Sequence, residues 1–417
     1  MNAKLKRTVG NWVEGERFWD RKVEMALFLE NLEEGNHLLL IAQRRIGKTS
    51  LMHEASRLIQ DRFVCLHVDL QEAASAADAI AELSVATRKH QSLWSRTKDI
   101  FANILRSAAD SIDALQVAEL KVTLRSGLTE GDWQAKGDRL FAILADSEKP
   151  VIIFLDEVPI LVSRMLKGND YTITPERRAQ ADAFMSWLRA NSLKHQGKVR
   201  LVVTGSIGLG PILRQAGLSA TINHFTPFEL GPWTIEAAEG CIAALAEAYG
   251  LAFEDGAIDQ MIECIGICIP YHVQLFFELV YQNCKFRGVD TVTKDMILDI
   301  YTRKMLSTRG HAELSHLEER LKMVLGPMLH PLALDLLTET AVVGALTPAA
   351  SNVLGQEYAI ANEQDRPEEV VREVLSILEH DGYLLKAGET YSFVSRLLKD
   401  WWQATHGFNF VPAAQRL

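Results

Sequence analysis

Four short apolar runs mark the first half of the chain, at 37–42, 63–69, 151–156 and 199–204. Continuous runs such as Val151-Ile152-Ile153-Phe154-Leu155 are what a strand buried on both faces requires. Between them lie stretches with helical spacing, for instance Leu51, Met52, Ala55, Leu58 and Ile59. Strands alternating with helices predict an α/β fold, a parallel sheet with helices on both faces. A helical segment is expected over about 77–117. Leu120 to Gly127 then alternates like a hairpin strand, giving an insertion over about 77–135 that suits a lid or a partner surface. Helices are predicted again at 235–249, 255–265 and 273–285, with Gly266 and Pro270 breaking the chain between the last two. The last hundred residues read as a helix at 317–324, a turn at Pro327–Pro331, and helices near 332–344 and 367–380. A hairpin then follows from Gly382 to Val394, turning at Ala387-Gly388-Glu389. Helices followed by a hairpin are the order of a winged helix. The expected domains are 1–230, a helical lid over 231–310, and a winged-helix domain over 311–417.

The passage from the first strand to its helix carries the sharpest chemistry. Residues 42–51 read Ala-Gln-Arg-Arg-Ile-Gly-Lys-Thr-Ser-Leu. A tight loop between a strand and a helix gathers backbone amides around one concavity, and the helix N-terminus adds partial positive charge. Gln43, Arg44, Arg45, Ile46 and Gly47 would wrap a phosphate, with Lys48 reaching the β- and γ-phosphates. Thr49 would hold Mg²⁺, and Ser50 completes the first turn. The usual pattern has glycine where Ala42 stands, which is tolerable if φ is negative there.

The run 151–155 ends in Asp156-Glu157. An aspartate at that strand tip can hold the water shell of Mg²⁺, and the adjacent glutamate can polarise an attacking water. The run 199–203 ends in Thr204-Gly205-Ser206. Ser206 is the first candidate to sense the γ-phosphate or orient the water and Thr204 the alternative, though either can instead cap the next turn. Asp69, at the tip of the second strand, can orient the site or cap the next helix, and the cap is the expectation.

Bulk properties narrow the class. A chain of 417 residues exceeds one ordinary core, and with 48% hydrophobic and 24% charged residues it is globular. No apolar run approaches a membrane span of roughly 18–20 residues, and no apolar segment follows the basic start as in a signal peptide. Five cysteines, an odd number in apolar contexts, suit reduced core residues of a cytoplasmic protein. Cys264 and Cys268 are expected on one helical face, and zinc there would need two further ligands, of which His272 is the obvious candidate. The net charge of −10 disfavours non-specific nucleic-acid binding. Residues 327–417 hold 12 acidic against 6 basic side chains, net −6, so the winged helix is expected to contact protein or to autoinhibit.

Taken together these residues resemble the prokaryotic STAND-type and archaeal-ATPase P-loop proteins of the broader AAA+-related group. The likeness runs through Gly15–Glu24, Arg44–Ser50, Asp156–Pro159, Thr204–Leu209, the Gly266/Pro270 lid, and Tyr391-Ser392-Phe393 with Leu397–Trp402. The double arginine before Ile-Gly-Lys-Thr is the most specific part. The resemblance implies an ATPase switch using ATP and Mg²⁺, with Glu157, Lys48 and Ser206 catalytic and Thr49 and Asp156 at the metal. It places Phe18, Trp19 and Arg21 near the adenine, with core packing as the alternative for the aromatic pair, and gives Pro270 to the lid contact. Arg44, Arg45 and Arg214 are candidates for phosphate or trans-acting roles. Ser206 stands where many eukaryotic STAND switches have arginine. The implied partners are ATP and a protein partner or second copy, with no membrane. Two other readings share this domain order: a DNA-loading or transposition- and replication-regulating ATPase, and a nucleotide-stabilised scaffold with negligible turnover.

Overall fold

The computed structural model describes residues 5–102, 116–129, 131–307, 312–362 and 366–416. They divide into two compact units, Arg21–Ala42 with Leu51–Leu230, and Met1–Asp20 with Gln43–Ser50 and Gly231–Leu417.

The first unit is built on a parallel sheet. Along the chain come α1 (Lys22–Glu33), β1 (Leu38–Ile41), α2 (Lys48–Ile59), β2 (Val64–Asp69), α3 (Ala76–Ala86) and α4 (Gln91–Ile100). After them come α5 (Val117–Ser126), α6 (Trp133–Ala145), β3 (Val151–Asp156), α7 (Val158–Lys167) and α8 (Pro175–Lys194). The unit closes with β4 (Val199–Thr204), α9 (Leu209–Gln215) and β5 (Thr226–Glu229). The five strands lie in the order β2-β3-β4-β1-β5 with every pairing parallel. All carboxyl ends therefore share one edge, where Leu40 is level with Thr204 and Asp69 with Asp156. Val151, Ile152, Ile153 and Phe154 are fully buried, as the unbroken apolar run requires. This is the expected α/β sheet with helices on both faces.

Three local expectations for this unit differ from what is observed. Residues 117–126 form helix α5, not a hairpin strand. Leu120 and Leu124 are one helical turn apart and both buried, and a capping box between Gln116 and Glu119 starts the helix. Alternation over so short a span satisfies both periods. Strand β5 was not expected, because Pro227 disrupts its pattern; it pairs only with β1, and an edge strand tolerates proline. Asp69 caps no helix. It accepts from the Gln71 amide at 2.9 Å, while Ser75 and Asp78 form the capping box of α3. The stretch 103–115 of the expected long helix lies outside the described residues.

The second unit is helical. Its first helices are α10 (Ile235–Tyr249), α11 (Ala257–Ile265), α12 (Pro270–Arg287) and α13 (Lys294–Ile300), the stretch expected as a lid. The two-residue strands β6 (Ala252–Phe253) and β7 (Thr291–Val292) pair beside them. Next come α14 (Ala312–Val343), α15 (Pro348–Asn362), α16 (Pro367–His380), β8 (Leu384–Ala387), β9 (Thr390–Phe393) and α17 (Arg396–His406). The expected turn at 327–331 is instead helical. The break falls at Gly326, whose φ is 71°, and the helix resumes at Pro327, a position where proline loses no hydrogen bond. Helix α15 was not expected. The β8–β9 hairpin is antiparallel, with Ala387 opposite Thr390 and Gly388 at φ 62° in the turn, as its sequence demands.

Helices α10–α13 and the C-terminal helix α17 share a core. Leu397 of α17 belongs to the same buried cluster as Cys241, Ile265, Phe276 and Ile297. The Ser395 hydroxyl donates to the Ile265 carbonyl at 3.1 Å, and the Tyr301 hydroxyl to Asp400 at 2.8 Å. Gly266 sits where this docking is tightest: its φ is 81°, and an added Cβ would lie 2.8 Å from the Arg396 nitrogen. Helix α11 ends at Ile265, so Cys264 and Cys268 do not share a helical face. The Cys268 carbonyl instead accepts from the Trp233 amide at 2.9 Å. Among the described residues no helix is long and apolar enough to cross a membrane.

Candidate functional site

The chain leaves β1 at the carboxyl edge of the sheet and enters the loop that opens α2 at Lys48. Two residues give this loop its left-handed turns, Arg45 at φ 65° and Gly47 at φ 100°. Ala42 is not among the residues with positive φ, so its Cβ costs no strain and glycine is not needed there. Arg45 lacks glycine's freedom, and a left-handed φ costs it about 1 kcal/mol. Its guanidinium carbon lies 4.6 Å from the centre of the Tyr271 ring, a stack that helps hold the strained residue in place. Ile46 is buried and anchors the loop from beneath.

Lys48 is buried to 9% exposure, and its ammonium donates to the Gln43 carbonyl at 2.9 Å. The side chain therefore curls back over the loop's own concavity, where a phosphate oxygen can take over the carbonyl's role. Thr49 is half-buried on the first turn of α2. The Ser50 hydroxyl accepts from the Val13 amide at 3.0 Å, a tie that no motif announces. Gln43, Arg44 and Arg45 also line a pocket with Ile267, Ile269 and Tyr383. Pro270 opens α12, its missing N–H costing nothing at that position.

On the sheet unit, Asp156 closes β3 and accepts from the Glu157 amide at 3.0 Å. Glu157 stands in the left-handed region, φ 60°, as the N-cap of α7. Its Oε2 accepts from the Ser206 amide at 2.9 Å and from the Ser206 hydroxyl at 2.8 Å. The tip of β4 thus holds the glutamate that follows β3. Gly205 makes this possible, because an added Cβ would lie 2.5 Å from the Pro159 ring. Thr204, the alternative, is buried and donates to the Leu40 carbonyl at 3.3 Å, a bond between strands.

The remaining candidates are placed as follows. The Trp19 indole donates to the Ala237 carbonyl at 2.9 Å, and its ring packs against the lid core. Phe18 is half-buried beside it in the chain. Arg21 belongs to the sheet unit, is 4% exposed, and pairs with Glu24 at 2.7 Å. Arg214 is exposed near the end of α9. Sequence reasoning missed Tyr271 under Arg45, Val13 on Ser50 and the close approach that requires Gly205. None has a local signal, since each depends on residues distant in the chain.

Known structures supply the class of fold. A Walker-type ATPase of Pyrococcus abyssi matches with a TM-score of 0.62 at 15% identity, covering 94% of this chain and 98% of that one. The ORC2 protein of Aeropyrum pernix, solved as ADPNP–ADP complexes, matches with a TM-score of 0.52 at 13% identity, covering 93% of each. The chain shares the P-loop ATPase fold with these proteins. No protein-family description matches the sequence. No curated protein matches it either.

Proposed function

We propose that this chain is an ATP-binding and ATP-hydrolysing switch of the STAND-like, AAA+-related kind. The observation that carries the reading is the pinned carboxylate of Glu157, held by Ser206 directly after the strand-end Asp156. The same chain carries a complete Gly-Lys-Thr loop whose lysine covers the loop's own concavity. The residue types suit a magnesium–nucleotide pair: Thr49 and Asp156 would each offer a hard oxygen donor to the ion, and the curled ammonium of Lys48 with the amides at the start of α2 would take phosphate. Mg²⁺ supplies charge neutralisation on the β- and γ-phosphates when bound.

In this reading Lys48 and the amides of 43–49 bind the phosphates, and Thr49 and Asp156 are the metal ligands. Glu157 accepts a hydrogen bond from the water that attacks the γ-phosphorus, orienting it in line with the leaving oxygen. Ser206 fixes the direction of that carboxylate. Phe18, Trp19, Arg21 and Pro270 are assigned to the adenine side. Binding alters the pose of the helical unit to the extent that ATP prefers one pose over another. The C-terminal helices and hairpin act as a winged helix that contacts protein, a partner or a second copy of the chain; their net charge of −6 weighs against DNA.

The test is phosphate release and ATP binding by Glu157→Gln. Turnover is expected to fall about a hundredfold or more while ATP affinity stays within about threefold. Turnover near the wild-type rate removes Glu157 from the chemistry. Calorimetry with no heat on adding Mg-ATP to the wild type removes the whole reading.

A further inference from the structure

Residues 5–19 tie the lid helices to the phosphate loop. The Arg7 guanidinium carbon lies 3.9 Å from the centre of the Tyr281 ring and 4.6 Å from that of Tyr249. Its Nη1 donates to Glu278 at 2.6 Å, with the two side chains only 25% and 22% exposed. The Arg7 amide donates to the Tyr249 hydroxyl at 3.2 Å, and the Thr8 amide to Gln274 at 3.2 Å. Tyr249 ends α10, and the other three partners lie on α12. Six residues further on, the Val13 amide binds the Ser50 hydroxyl on the first turn of α2, beside Thr49. Trp19 then returns to α10 through the Ala237 carbonyl.

One segment is thus anchored on the lid at both ends and on the loop in its middle. A cation flanked by two aromatic faces and a carboxylate, partly out of water, is a firmer anchor than an exposed ion pair. Six residues reach at most roughly 20 Å, so while both anchors hold, Val13 stays within that distance of the Arg7 site on α10 and α12. We propose that this segment is a strap through which the position of α10 and α12 sets the rate at which the phosphate loop releases its nucleotide. The proposal rests on the ATP reading for its ligand, and on the hydrogen bonds and stacks of this segment for its mechanics. Arg7 touches no nucleotide in this scheme; it is a positioning residue acting through Val13 and Ser50.

The experiment uses the full chain with Arg7→Ala and Arg7→Lys, read by release of a fluorescent ADP and by hydrogen exchange at the Val13 amide without nucleotide. Arg7→Ala is expected to speed release about tenfold and to raise Val13 exchange, with Arg7→Lys between it and the wild type. Adding Ser50→Ala to Arg7→Ala is expected to raise release no further than Ser50→Ala alone, because both cut one strap. Release within about twofold of the wild type, with Val13 exchange unchanged, overturns the strap. If the wild type binds no ADP, the ATP reading fails, and Val13 exchange alone decides the mechanics: faster in Arg7→Ala supports the tie, unchanged overturns it.

Discussion

Ser206 places two hydrogen bonds on one oxygen of Glu157, from its amide at 2.9 Å and its hydroxyl at 2.8 Å. Glu157 is itself held in the left-handed region at φ 60°, so backbone and carboxylate are both constrained. In the proposed reaction, where Glu157 orients water, such a carboxylate gains from losing its rotamers before substrate arrives. The strand tip after β4 therefore serves β3's glutamate, and the two strands, paired through Leu155 and Val203, deliver both residues to one edge.

Removing the hydroxyl tests this division of labour. Ser206→Ala keeps the amide bond and loses the other, and a hydrogen bond to a charged group is worth about 1.5–3 kcal/mol. Turnover is expected to fall about tenfold with ATP affinity nearly unchanged, read by steady-state phosphate release beside calorimetry. A weakened affinity with unchanged turnover would instead place Ser206 on the nucleotide.

Gly205→Ala reaches the same carboxylate without altering any polar group. Its Cβ would meet the Pro159 ring at 2.5 Å, and Pro159 sits in the first turn of α7, just after Glu157. Relief of that clash displaces Ser206 or the start of α7. Overpacking of this kind costs about 1–3 kcal/mol, and turnover is expected to drop at least as far as in Ser206→Ala. Comparable activity in Gly205→Ala and the wild type would mean that the Ser206–Glu157 geometry does not govern the rate.

Much of this arrangement could be read from the chain, for identifiable reasons. Strands β3 and β4 were legible because both their faces are buried, which leaves an unbroken apolar run such as 151–155, while the partly buried β1 and the edge strand β2 kept enough apolar residues to be seen. The tight turn between β1 and α2 was legible because glycine marks it, and Gly47 takes φ 100° there. Helix α5 was misread because Leu120 and Leu124 fit both a strand and a helix, and only the cap at Gln116 decides. The break at Gly326 was placed too late because prolines draw attention to themselves, whereas here the positive φ belongs to glycine. Ties such as Val13 to Ser50 or Arg45 to Tyr271 join residues tens to hundreds of positions apart, and nothing in local periodicity encodes them.

The joint between α11 and α17 gives a stability prediction. Gly266→Ala combines a positive φ with a Cβ held 2.8 Å from the Arg396 nitrogen, a backbone atom that cannot swing aside. The expected cost is about 3 kcal/mol, seen as a lower thermal midpoint and as faster hydrogen exchange of the Leu398 amide, which donates to the same Ser395 hydroxyl that binds Ile265. An unchanged midpoint would show that α17 docks on α11 less tightly than these distances state.

Acid provides the last prediction, through three histidines of the sheet unit. Burial lowers the pKa of His67 to about 3, helped by His53, whose ring stacks on it at 4.1 Å, and by Lys89. Burial lowers that of His224 to about 4, helped by His37 and Arg189. His37 is lowered as well, by burial first and then Arg200, although a backbone bond at Ser192 works in the other direction. Its Nδ1 accepts from the Leu201 amide at 3.1 Å, a bond that the protonated ring cannot accept. In each case the folded pKa lies below the ordinary 6.5, so the stabilisation is complete above pH 6.5. Below that value the unfolded chain takes up protons that the folded chain refuses, and stability is lost progressively as pH falls toward about 3–4. His67 and His224 are each expected to contribute about 1–2 kcal/mol to the loss by pH 4.5, after allowing for solvent relaxation, and His37 adds to it in the same direction. Carboxylates titrate in the same window, so the informative comparison is the urea midpoint of His224→Phe against the wild type at pH 7.5 and 4.5. The variant's midpoint should fall less between the two values, and parallel falls would remove His224 from the acid response.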